Sequence, residues 1–203
     1  MDSIASKPVR VSRSLLSARW LVLPLLVAGL AILAPPLHAQ PKATEYQVKA
    51  AYLFNFAKFV KWPPDTDAAR VSSFEICILG KDPFGAALDT TVGGEKIDAE
   101  PVAIRRIDQA SQSKSCRILF ISKSEESHLT GILTEVDGSD TLTVSDIPRF
   151  SKRGGMIEFV PEGNRVRFGI NLDSAERSRL TVSSELLKVA TTVITSTRAG
   201  GLS

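Results

Sequence analysis

The chain has 203 residues, 43% of them hydrophobic, with 25 Lys and Arg against 22 Asp and Glu. That balance suits one globular domain and excludes a disordered tail, a collagen-like repeat and a disulfide-rich miniprotein. The formal charge of +3 arises within residues 1–39, where Lys7, Arg10, Arg13 and Arg19 face Asp2 alone; the rest is formally neutral, so no nucleic-acid partner is expected.

Residues 1–19 are polar and cationic, and Trp20 to Ala34 is an unbroken apolar run. Pro35-Pro36-Leu37-His38-Ala39-Gln40 then supplies a helix break and a small residue before a polar one. A charged segment, a short apolar core and a small-residue site together read as a secretory signal peptide, and the apolar run is shorter than the roughly 20 residues a membrane span needs. The expectation is a leader over 1–39, cleavage after Ala39, and a periplasmic domain over 40–203. Without an Arg-Arg pair in the leader or a Cys at the cleavage site, neither twin-arginine export nor lipid attachment is expected.

Thr44-x-x-Gln47 has the form of a capping box and opens a helix. Val48, Tyr52, Phe56, Phe59 and Val60 recur at helical spacing, and Trp62-Pro63-Pro64 ends it. The aromatics crowded into this stretch read either as a helix packed on a core or as a face offered to a partner. On the second reading Tyr52, Phe56, Phe59, Trp62 and, further along, Phe150 are the candidate partner-binding residues.

Phe74–Leu79 reads as a strand, Phe84–Asp89 as a short helix, Gly93-Gly94 as a turn and Val102–Ile107 as a second strand. Cys116–Ile121 is continuously apolar, as in a strand buried on both faces. Ser122-x-x-Glu125 predicts a helix reaching about Val136, and Leu142–Val144 a short strand. Met156–Pro161 and Arg165–Ile170 flank Glu162-Gly163-Asn164 as a β-hairpin. Asp173-x-x-Glu176 opens a short helix, and Leu186, Leu187, Ala190, Val193 and Ile194 form the apolar stripe of a last one. The expected fold is α/β: a single domain with a mixed, mostly parallel sheet, helices on both faces, and a C-terminal β-hairpin plus helix.

Catalytic constellations are missing from the pattern. His128 is the only histidine after residue 39, and it sits beside Glu125 and Glu126 on a polar helical face. No metal cluster, catalytic triad, phosphate loop or dinucleotide fingerprint can be assembled, so no enzyme activity, metal or cofactor is expected. Gly154-Gly155 follows Lys152-Arg153, and exposed glycine amides beside cations can bind an anion. With Arg165, Arg167 and Arg177 these form a candidate ligand site; the plainer reading is a turn and solvated ion pairs.

Cys77 and Cys116 are the only cysteines, each in an apolar run. They read either as two buried thiols or, in an oxidising compartment, as one disulfide.

The segment Glu45 to Pro63 resembles the opening helix of the YfiR-like family. Cys77 to Gly85, Cys116 to Ser122, Leu142 to Asp146, Gly154 to Val160 and Asn164 to Leu172 continue the resemblance in order, over roughly Thr44 to Ala190. It implies a small periplasmic α/β domain, often dimeric, that regulates by binding rather than catalysis. Members are similar to a repressor that holds an inner-membrane diguanylate cyclase inactive through the cyclase's periplasmic part, lowering cyclic di-GMP and disfavouring biofilm. It also implies that Cys77 and Cys116 are disulfide-bonded. Some relatives carry a second cysteine pair near Gly154; here Ser151 and Glu158 occupy that stretch, so redox sensing there does not carry over.

Overall fold

The structure is a computed structural model describing residues 44–64, 72–163 and 165–196, all within one compact unit. The leader and its cleavage site lie outside the described residues. Among those described, no helix is long and apolar enough to cross a membrane.

Helix α1 spans Glu45–Phe59, and both bonds of the expected capping box form between Thr44 and Gln47. Its buried stripe is Lys49, Ala50, Leu53, Phe54, Phe56 and Ala57. The apolar face is thus rotated from the expected one, because small Ala50 and Ala57 allow close approach to the sheet while Phe59 turns outward. The chain continues into β1 (Val60–Lys61), which pairs antiparallel with β9 (Thr181–Val182), a contact the sequence pattern does not reveal.

The main sheet has eight strands: β2 (Phe74–Leu79), β3 (Lys96–Ile97), β4 (Glu100–Ile107), β5 (Ile118–Ile121), β6 (Leu142–Ser145), β7 (Ile157–Glu162), β8 (Arg165–Asn171) and β10 (Thr192–Ile194). Their spatial order is β10-β8-β7-β6-β5-β2-β4-β3. Pairing is parallel except at the β7–β8 and β3–β4 hairpins. The expected mixed, mostly parallel sheet is therefore present.

Side chains alternate across it, as strand geometry demands. Ile76, Ile78, Ile118 and Phe120 join α1 and α2 (Ala86–Val92) in one core. Cys77, Leu79, Leu119 and Ile121 join α3 (Leu129–Val136) in another on the opposite face. The helix expected from Ser122 opens instead as a 3₁₀ segment, Lys123–His128, before α3. The short helices α4 (Leu172–Arg177) and α5 (Ser184–Val189) complete the chain.

The last expected helix is corrected: α5 stops at Val189, and Thr192–Ile194 forms β10 alongside β8. The β-branched run Thr191-Thr192-Val193-Ile194 is a poor helix former and fits a pleated edge.

Candidate functional site

The strand order reverses between β2 and β5, and in open α/β sheets the crevice outside the carboxyl ends at such a point is the usual ligand site. Here the chain's own side chains fill it. The Lys81 amide donates to Ser124 Oγ at 3.0 Å, and Ser124 Oγ donates to Glu125 Oε1 at 2.8 Å. Gly80 lies beneath them at φ +83°, and a Cβ there would stand closer than 3.0 Å to both side chains. Glycine serves both the backbone conformation and the close approach.

One strand further along, the carboxyl end of β6 carries Asp146. Lys49 Nζ lies 2.6 Å from Asp146 Oδ2, and the Tyr46 hydroxyl donates to the same oxygen at 2.8 Å. Lys49 is 2% exposed and Asp146 7%. Glu45 at 2.6 Å and the Tyr46 ring, whose centroid is 4.4 Å away, also surround the ammonium. Burial first, then the hydrogen bond to Asp146 and its charge, hold the Tyr46 phenol well above its ordinary value. This cluster ties α1 to the end of the sheet. Its sequence signal was present in outline: a lysine inside an apolar helical stripe, and an aspartate closing an apolar strand.

Cys77 and Cys116 are bonded, with Cα atoms 5.8 Å apart, and both residues are fully buried. Their sulfurs lie within 4.8 Å of a Glu75 carboxylate oxygen, but pairing removes them from any ligand set.

The candidate anion residues do not converge. Gly154 and Gly155 precede β7, whereas Arg167 pairs across the hairpin with Val160 and Arg165 with Glu162. At roughly 3.3 Å per residue, Val160 is about 16 Å and Glu162 about 23 Å along the strand from Gly155. Arg167 faces Glu162 at 3.4 Å, while Arg177 on α4 faces Asp137 at 3.8 Å. Gly155 has a packing role: a Cβ there would collide with the Phe150 ring. Ser151 and Glu158 are joined directly. Buried Glu158 accepts from Ser151 Oγ at 2.6 Å and from the Arg149 and Ser151 amides at 2.8 and 3.1 Å.

Of the aromatic partner candidates, Phe56 and Phe150 are fully buried, so neither forms an outer contact surface. Phe56 and half-buried Tyr52 pack against Phe159 and Phe168 in an aromatic cluster. Trp62 meets Phe74 edge-on, with ring centroids 5.2 Å apart. Phe59 alone of the five is open, at 39% exposure. Two other large apolar side chains among the described residues are exposed: Val189 at 55%, outside the expected stripe of the last helix, and Val193 at 39%, within it.

These features define a disulfide-bonded α/β domain whose customary ligand crevice is filled from within. A family model described as YfiR/HmsC-like matches residues 46–191, and the chain belongs to that family. The family is periplasmic and regulatory. Among solved structures, a conserved domain protein of Vibrio cholerae O1 biovar El Tor is similar at TM-score 0.49 and 10% identity, over 75% of this chain and 61% of that one. An ABC domain in complex with L-Trp from Streptococcus pneumonia is similar at TM-score 0.43 and 12% identity, over 60% of this chain and 55% of that one. The chain thus spans less than two thirds of either structure.

Proposed function

We propose that this protein is a periplasmic regulator that binds an inner-membrane signalling protein, a diguanylate cyclase foremost, and restrains it so that cyclic di-GMP stays low. The observation that carries this reading is the family match over residues 46–191. Two structural features support it. A disulfide between fully buried cysteines suits an oxidising compartment. The switch-point crevice, where a nucleotide would ordinarily sit, is closed by Ser124 and Glu125 over Gly80.

Restraint of this kind needs surface rather than chemistry. Exposed Phe59 at the end of α1 is the contact residue the reading favours; Phe56 and Phe150 are withdrawn from that role by burial. The test is cellular cyclic di-GMP in the native host, with this gene deleted alone and together with a membrane cyclase gene. The expected result is a rise in the single deletion that disappears in the double deletion. No rise under several growth conditions would overturn the cyclase assignment.

A further inference from the structure

The amino ends of β2, β4 and β5 border a cavity of about 730 Å³, within the range of small-molecule pockets. Its apolar wall is Val60, Pro63, Phe74 and Ile97. Four cations, Lys58, Lys61, Lys96 and Arg117, line it against two carboxylates, Asp98 and Glu100. Arg117 is only 6% exposed, and the carboxylate whose charge supports it, Asp140, is shared with Arg179 at 2.8 Å. Burial of the guanidinium therefore disfavours its charge more than the surroundings restore it, and its pKa is lowered.

Trp62 adds a second, independent feature. Its indole Nε1 is buried and has no hydrogen-bond partner, an arrangement that ordinarily costs free energy. The opposite wall is a tight turn in which Asp98 and Ala99 hold φ of 48° and 74°. Such turns favour Asn-Gly, and non-glycine residues kept there concentrate at binding sites. Burial and neighbouring Asp98 also push the Glu100 carboxyl upward, which weakens the acidic side of the balance.

We propose that this cavity binds a small organic anion, with a phosphate or carboxylate head set against Arg117 and Lys96 and an apolar body set against Trp62, Pro63 and Phe74. The Trp62 N–H donates to the ligand. The site stands apart from the cyclase reading, because its test reads binding alone.

Trp20 and Trp62 are the only tryptophans, so Trp20→Phe leaves an indole within the site as the reporter. The purified full chain carrying Trp20→Phe is titrated with phenyl phosphate, benzoate and benzyl alcohol while tryptophan fluorescence is followed. A saturable change with at least one of the two anions, and none with benzyl alcohol, is expected; their relative affinities identify the preferred head. Arg117→Gln should weaken binding about tenfold or more, the scale of one charged hydrogen bond. Because Arg117 is buried, exposed Lys96→Gln and Lys61→Gln serve as variants that keep the fold, each weakening binding severalfold. No saturable change with either anion, equal affinity for benzyl alcohol, or unchanged affinity in both folded lysine variants would overturn the proposal.

Discussion

The two edges of the parallel sheet are built on opposite plans. At the carboxyl edge Ser124 and Glu125 bond to one another over Gly80, and Lys49 and Tyr46 converge on buried Asp146. At the amino edge the chain leaves a cavity, a cation excess and a buried indole N–H without a partner. Topology alone assigns the ligand to the first edge. The side chains move it to the second. The lesson is that a switch point offers a crevice, and the sequence decides whether it stays open.

Breaking the carboxyl edge should have the largest effect. Asp146→Leu leaves buried Lys49 only the solvent-exposed Glu45 carboxylate and should cost up to about 3–5 kcal/mol in denaturant unfolding. The double variant with Lys49→Met should recover most of it, because a matched apolar pair removes both desolvation costs. A double variant no more stable than the single one would show that the pair is not the closure.

The disulfide comes next and bears on the amino edge, since Cys116 immediately precedes Arg117. Its sequence separation is 39, and the loop-closure estimate for losing it is about 4 kcal/mol. Cys77→Ala with Cys116→Ala should lower the melting temperature in oxidising buffer and leave parent and variant nearly equal under reduction. Gly80→Ala strikes the filled crevice itself. A left-handed φ and collision with Ser124 and Glu125 should cost about 1–3 kcal/mol while leaving the amino-edge cavity intact.

Much of the fold was legible in the sequence. The capped first helix, the apolar strands and the antiparallel hairpin follow from spacing and from turn residues. The alternation of Ile76 and Ile78 with Cys77 and Leu79 follows from the period of a strand. The amino-edge site was not legible, because its cations come from segments far apart in sequence and none stands in a motif. Two-residue strands such as β1 and β9 are too short for periodicity to register, and their pairing depends on long-range packing. The grouping of Gly154 and Gly155 with Arg165 and Arg167 failed for a related reason. Nearness along the chain is not nearness along a hairpin whose strands run in opposite directions.

Two smaller effects sharpen the comparison. The Tyr46 phenol has its folded-state value raised above the ordinary 10.0, so the stability it contributes is complete below about pH 10 and is lost as pH rises further. Tyr46→Phe should flatten that alkaline decline relative to the parent, and an identical decline would remove Tyr46 from the cluster's energetics. Phe59→Asp changes an open surface and should shift stability by no more than about 0.5 kcal/mol. If Phe59 meets the membrane partner, the same variant should raise cellular cyclic di-GMP with the protein still folded and present.

The most direct test of the contrast is an amide and indole chemical-shift map of the protein titrated with phenyl phosphate. Saturable shifts are expected at the Trp62 indole N–H, at Lys96 to Glu100 and at Arg117, with Gly80, Ser124 and Asp146 unmoved. Shifts centred on Gly80, Ser124 and Asp146, with the Trp62 indole unchanged, would contradict it and return the ligand site to the carboxyl edge.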